Sequence, residues 1–122
     1  MTIREAIARC DSLQHNTFSQ AQKVRWLSTL EGLVYPLILE GRETPCAAFE
    51  GFDDSTDPDT PLAVPEPFSE LYILYLQAMI HYYNGEPERF NNGYALFRTA
   101  WENYANYVNR TVKARPCRFR NF

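Results

Sequence analysis

The chain has 122 residues, of which 45% are apolar and 15% aromatic, and its formal net charge is −3. This length fits one domain, because autonomous domains usually hold about 100–150 residues. The composition excludes a disordered chain, a collagen-like fibre and a nucleic-acid binder that is basic overall.

The start of the chain and its most apolar stretch argue against a signal peptide and a membrane span. Charged side chains at positions 4, 5, 9 and 11 interrupt every apolar run of the first twenty residues. The most apolar stretch, 71–83, contains Gln77 and His81 and is shorter than the about 20 residues that a membrane span needs. We therefore expect a protein without a membrane span that is made in a cytoplasm.

A capping signal and a helical spacing of apolar residues predict a first helix over about 3–13. Thr2 is a suitable N-cap, and Glu5 stands at the position that completes a capping box. The apolar residues that share one face of this helix are Ile3, Ile7, Cys10 and Leu13.

A second helix is predicted over 19–40, with Ser19 as its cap and Gln22 at the capping-box position. Its wide apolar face is formed by Val24, Trp26, Leu27, Leu30, Leu33, Val34, Leu37 and Ile38. Pro36 removes one helical hydrogen bond and clashes with the carbonyl of Gly32, at a cost of about 3 kcal/mol. We therefore expect a kink at 32–36 or the end of the helix there. A strand over 33–39 competes with this interpretation, although a proline argues against a central strand.

Residues 41–67 show no sustained periodicity and hold five of the eight prolines. We interpret them as a long loop. Structureless loops of more than about 15 residues are uncommon in compact domains and are often functional.

A third helix is predicted over 68–84, with Pro67 in its first turn and the Asn84-Gly85 pair at its end. It is apolar almost all the way round, which predicts a central position in the fold. Its two apolar faces are Leu71, Leu74, Ala78 and Tyr82, and Ile73, Leu76, Ile80 and Tyr83.

The fourth helix is predicted over 87–109 by the cleanest periodicity in the chain. Pro87 and Glu88 suit a first helical turn. The periodic residues are Phe90, Tyr94, Phe97, Trp101, Tyr104 and Val108. We interpret this stripe as core, with a subunit interface as the alternative. The sequence thus predicts an all-α fold: one domain over 1–122, a small bundle of about four helices, the loop 41–67 and a tail 110–122.

Charge is unevenly distributed along the chain. Residues 40–70 carry nine acidic side chains and one basic one, net −8, whereas residues 110–122 carry five basic and no acidic side chains, net +5. Such a pattern is as typical of pairing within or between copies as of binding an external ligand. The candidate subunit-contact residues are Asp53, Asp54, Asp57, Asp59, Arg110, Lys113, Arg115, Arg118 and Arg120.

Motifs for catalysis and metal binding are not found. The three cysteines, Cys10, Cys46 and Cys117, are widely spaced and indicate free thiols. An EF-hand starting at Asp53 would place Pro58 at position 6, which needs glycine, and Val64 at position 12, which needs glutamate. We expect no catalytic residues, no cofactor, no metal site and no small-molecule substrate.

Three stretches resemble a known group of proteins: REAI at 4–7, QKVRWLSTLEG at 22–32 and the long segment 64–111. They are similar to the small head–tail connector-like (head-completion adaptor) proteins of tailed-phage and prophage structural cassettes. The resemblance covers roughly 2–112, and its most specific part is the 64–68 turn followed by 82–84 and 91–97. It implies an all-helical subunit, without an active site, in a ring between portal and tail around the DNA channel.

The resulting expectation is a non-enzymatic structural protein that forms a homo-oligomeric ring and contacts portal and tail proteins, with non-specific DNA contact as an additional option. It would reside in the host bacterial cytoplasm during assembly and then in the virion. The loop 40–70 of one copy would meet the tail 110–122 of the next. The alternative is a stand-alone helical nucleic-acid-binding or regulatory module that uses the basic tail. A further alternative is an enzyme that uses the acidic residues of the loop 41–67 and a metal.

Overall fold

Four α-helices form the body of the protein. The computed structural model describes residues 1–39 and 49–113. Its elements are α1 (Ile3–Leu13), α2 (Gln20–Leu39), α3 (Glu70–Tyr83) and α4 (Pro87–Val108), followed by a π-helix at Asn109–Lys113. The predicted all-α bundle is confirmed. None of the helices in these two ranges is long and apolar enough to cross a membrane.

Helix α3 is the centre of the bundle and packs against α1, α2 and α4. Its buried residues are Leu71, Tyr72, Ile73, Leu76, Ala78 and Ile80. Helices α3 and α4 run antiparallel, because Tyr75 near the middle of α3 contacts Phe97, whereas Tyr82 near its end contacts Phe90 near the start of α4. The central position predicted for this helix is confirmed.

Helix α1 has the predicted bounds and the predicted cap. The Glu5 N–H donates to Oγ1 of Thr2 over 3.2 Å, and the Thr2 N–H donates to Oε1 of Glu5 over 3.0 Å. Hydrogen bonds from Thr2 to the carboxylate, chiefly the one from its backbone N–H, lower the pKa of Glu5. Cys10 is fully buried, and burial, followed by the nearby charge of Asp11, raises its pKa to about 11. Cys10 is therefore a small core residue rather than a nucleophile.

A partly buried ion pair joins α1 to α2. Nζ of Lys23, whose side chain is almost fully covered, lies 2.6 Å from Oδ1 of Asp11. Asn16 Nδ2 donates to the same oxygen over 3.0 Å. Burial by itself would raise the pKa of Asp11, but the two hydrogen bonds outweigh it and lower the pKa.

Helix α2 continues through Pro36, so neither an end at this residue nor a strand over 33–39 is correct. Pro36 and Gly32 are both exposed, and water can therefore satisfy the carbonyl that proline leaves unpaired. The helix begins one residue later than predicted, because Ser19 is its cap and accepts the Gln22 N–H over 3.2 Å. Leu33, assigned to the apolar face, is exposed. Position 40, the predicted end, lies outside the described residues.

Helix α3 begins two residues later than predicted. Pro67 therefore lies before the helix and not in its first turn. Residues 65–68 form a turn in which the Phe68 N–H donates to the Pro65 carbonyl over 2.9 Å. The helix therefore begins at Glu70, and the cis peptide Glu66–Pro67 precedes it. At the other end, Gly85 adopts a φ of +71°, as the predicted Asn84-Gly85 stop requires.

Gly93 of α4 faces Ala78 of α3. A Cβ at position 93 would lie 3.6 Å from the Ala78 Cα and 3.7 Å from its Cβ, an ordinary contact distance. We therefore expect Gly93→Ala to stabilise the fold by up to about 1 kcal/mol through helix propensity. The larger, β-branched Gly93→Val should instead destabilise it by about 1–3 kcal/mol through overpacking. Urea unfolding measures both, and a destabilising alanine would contradict this packing.

Candidate subunit-contact site

The acidic loop, by which we mean the described residues 49–67, is connected to the start of the chain by backbone hydrogen bonds. The Ile3 N–H donates to the Thr60 carbonyl over 3.1 Å, and the Arg4 N–H donates to the Pro58 carbonyl over 2.8 Å. These are N–H groups of the first turn of α1, which have no partner within a helix. The Leu62 N–H completes the connection by donating to the Met1 carbonyl over 2.8 Å.

A buried polar network joins the same loop to α2 and α3. Glu31 of α2 is only 1% exposed. Its Oε2 accepts the Ala63 N–H over 2.8 Å, and its Oε1 accepts the hydroxyl of Tyr72 over 2.6 Å. The Tyr72 oxygen in turn accepts the Val64 N–H over 2.9 Å. Burial raises the pKa of Glu31, while the hydrogen bonds from Tyr72 and Ala63 oppose this effect.

Sequence reasoning did not identify the role of Glu31. A signal for it was present, because Glu31 stands four residues after Leu27 and three before Val34, on the apolar face of its helix. An acid at such a position must find hydrogen-bond donors when it is buried.

The four predicted acidic contact residues are all exposed, and three of them also shape the loop. Oδ1 of Asp53 accepts the backbone N–H of Ser55 over 2.8 Å and its hydroxyl over 2.6 Å; the hydroxyl bond is the main cause of the lowered pKa of Asp53. Oδ1 of Asp57 accepts the Asp59 N–H over 3.0 Å. Asp59 pairs with Nε of Arg4 over 2.9 Å.

Two adjoining depressions, of about 220 and 160 Å³, lie between this loop and α2. Both are lined by Ala21, Val24, Asp53 and Asp54. Ile3 is among the remaining lining residues of the larger one, and Arg25 and Phe52 line the smaller one. We call these depressions together the acid-lined cleft.

The first residues of the predicted basic tail 110–122 belong to a regular element. Residues Asn109–Lys113 form the π-helix that follows α4, and Arg110 is exposed there. No ion pair joins Arg110 to an acid of the loop within 1–39 and 49–113. Arg115, Arg118 and Arg120 lie outside the described residues.

The aromatic stripe of α4 lies largely against the bundle, as its interpretation as core predicts. Phe97, Tyr104 and Val108 are buried, and the other three members are partly buried. Tyr82 and Tyr83 of α3, which were assigned to apolar faces, are instead 56% and 54% exposed. Each is covered in part, because Tyr83 stacks on Trp26 of α2 and Tyr82 contacts Phe90 of α4.

A second depression, of about 260 Å³, lies between the end of α1, α3 and α4. His81 lines it, and the Nδ1 of His81 lies 2.8 Å from Oε1 of Glu86. The other lining residues are Gln14, Leu74, Gln77, Arg89, Asn92, Gly93 and Leu96. No hydroxyl, thiol or amine nucleophile is among them. Over the part of the chain that the structure describes, no group of three or more His, Cys, Asp or Glu residues is placed to hold a metal ion.

The chain was compared with known families, curated proteins and solved structures. Neither a family model, nor a curated protein, nor a solved structure matches the chain. A functional proposal therefore depends on the residues and contacts described above and on the resemblance of the sequence stretches.

Proposed function

We propose that this chain is a non-enzymatic structural subunit of a tailed-phage or prophage particle, a head–tail connector that joins a ring between portal and tail. The resemblance of residues 4–7, 22–32 and 64–111 to such proteins supports this role. The structural observation that carries it is that the acidic loop is fixed to the bundle while its four aspartates stay exposed.

The loop is fixed at three places along its length. Phe52 donates its N–H to Oγ of Ser28 over 3.0 Å, residues 58–62 pair with the chain start, and residues 63–64 bind the Glu31–Tyr72 pair. A segment that is ordered before binding loses less conformational entropy when a partner arrives. Fixed and outward-facing carboxylates therefore suit a recognition surface better than a freely solvated loop would.

A ring requires two different surfaces on each copy, because its interface is heterologous. The exposed aspartates and the basic tail supply opposite charges for such a contact. Exposed ion pairs contribute about 0–1 kcal/mol each and are screened by salt, so they orient an assembly more than they hold it. The portal and tail proteins supply the remaining contacts, first in the bacterial cytoplasm and then in the virion.

Portal binding tests this function directly. Purified portal rings of the phage or prophage that encodes this chain would be incubated with the full-length protein, sedimented and imaged by electron microscopy. We expect an added ring on the portal at low salt, and a chain ending at residue 113 should bind it more weakly. Arg89→Gln, a charge removal on the exposed surface of α4, is the matched control.

The opposite results would reject the connector role. Absence of portal binding by the full-length protein would count against it, whereas equal binding by the shortened chain would reject only the contribution of the tail. Salt-dependent DNA binding that is lost on replacement of Arg115, Arg118 and Arg120, without portal binding, would favour the nucleic-acid-binding alternative.

A further inference from the structure

The larger depression of the acid-lined cleft is lined by both apolar and acidic residues. Ala21 and Val24, which are partly exposed, supply apolar surface, and Asp53 and Asp54 supply carboxylates; the other lining residues are Ile3, Gln20, Thr56 and Pro58. None of its described lining residues is basic. Within the described parts of the chain, neither Oδ2 of Asp53 nor either carboxylate oxygen of Asp54 has a hydrogen-bond partner.

These properties fit an arginine side chain. The guanidinium group forms paired hydrogen bonds with a carboxylate, and the aliphatic stem of arginine packs on apolar surface. Among the described residues that line the cleft, Arg25 is the only cation, and it lines the smaller depression. The larger depression therefore has both the carboxylates and the apolar surface that an incoming arginine needs.

We propose that the acid-lined cleft binds the C-terminal segment 114–122 of a second copy of this chain. This segment contains Arg115, Arg118 and Arg120, two phenylalanines and no acid, so its charge and its apolar residues both complement the cleft. The described beginning of the tail, Asn109–Lys113, continues directly from the end of α4. The nine residues that follow can extend by up to about 30 Å, which is long enough to cross to a neighbouring molecule.

The choice of a second copy rests on the proposed function, because a ring needs a contact between copies. It names the contact of that ring: the tail of one subunit enters the cleft of the next, and every subunit uses both surfaces. Salt should weaken this contact, since it includes exposed charges.

Two full-length variants test the cleft and the tail independently of each other. Asp54→Lys disables the cleft and keeps the tail, and its fold should persist because Asp54 is exposed. The triple variant Arg115→Glu, Arg118→Glu, Arg120→Glu disables the tail and keeps the cleft. Light scattering and sedimentation of each variant at low salt should show self-association weakened by about tenfold, since reversal turns attraction into repulsion.

The mixture of the two variants is the decisive sample. One intact tail and one intact cleft remain, so the mixture should form a one-to-one heterodimer that cannot grow further. Glu102→Lys, the same charge change at an exposed position of α4, should associate like the unmodified chain. A mixture that stays monomeric, or an Asp54→Lys variant that associates as tightly as Glu102→Lys, would overturn the proposal.

The same proteins distinguish this inference from the connector role. A heterodimer without portal binding by the unmodified chain would reject the connector and retain the tail–cleft contact. Portal binding without a heterodimer would reject the tail–cleft contact alone.

Discussion

Tyr72→Phe should lower the free energy of unfolding by about 2–4 kcal/mol. The substitution preserves the ring that fills the core and removes only the hydroxyl. The Val64 N–H then loses its acceptor, and Oε1 of Glu31 loses its donor. Both groups are buried, so neither finds water as a replacement partner. Urea unfolding followed by circular dichroism measures the change.

Tyr75→Phe is the matched control for this prediction. Tyr75 lies on the same helix and is half-buried, and its hydroxyl has no hydrogen-bond partner within residues 1–39 and 49–113. The same chemical change should therefore alter the stability by less than about 0.5 kcal/mol. Equal losses in the two variants would show that the network of Glu31 and Tyr72 does not hold the loop.

The pH dependence of the Tyr72→Phe loss follows from Glu31. Burial raises the pKa of Glu31 above its usual 4.5, with the bonds from Tyr72 and Ala63 opposing the rise. A raised folded-state pKa means that the folded protein holds the proton of Glu31 more tightly than the unfolded chain does. The stability that this proton contributes is therefore complete below pH 4.5 and is lost as the pH rises through the folded pKa. Removal of the Tyr72 hydroxyl raises this pKa further. The destabilisation should therefore be larger at neutral pH than at pH 4.5, and a loss that is independent of pH would contradict this account.

The helices could be predicted because their signals are local. The Thr2–Glu5 capping box and the apolar residues of α1 lie within a dozen positions, and α1 has the predicted bounds. The stripe of α4 likewise predicted a helix over 87–109, and the structure has Pro87–Val108. Each signal depends on residues that lie within a few turns of one another, where periodicity is informative.

The attachment of the loop could not be predicted, because its bonds join distant parts of the chain. Ala63 and Tyr72 are 32 and 41 residues from Glu31, and Asp59 is 55 residues from Arg4. No periodicity encodes such pairs. The acidic residues were identified as a candidate contact site from their charge, but the cleft beside them emerged only when α2 and the loop were placed together. Whether they contact the tail remains a prediction.

The exposure of side chains at the ends of helices also could not be predicted from the sequence. Tyr82 and Tyr83 follow the apolar period of α3, and Phe90 of α4 and Trp26 of α2 contact them, yet these contacts leave more than half of each side chain exposed. Periodicity identifies the face of a helix that is apolar. It does not determine how far a neighbouring helix extends along that face.

The central position of α3 predicts a large difference between two leucines. Leu76 is fully buried in α3, whereas Leu96 of α4 is 61% exposed. Leu76→Ala should lower the free energy of unfolding by about 2–5 kcal/mol, since it removes buried methyl groups and leaves a cavity. Leu96→Ala should change it by no more than about 0.5 kcal/mol.

The comparison tests the arrangement of the bundle, because both residues are leucines inside helices and differ mainly in their burial. A large loss at Leu96 would mean that this surface of α4 is covered, either by another part of the chain or by a second copy. A small loss at Leu76 would mean that α3 is not the central helix. Chemical unfolding at several protein concentrations shows whether the same chain or a second copy covers Leu96. Only a contact between copies makes the stability depend on concentration.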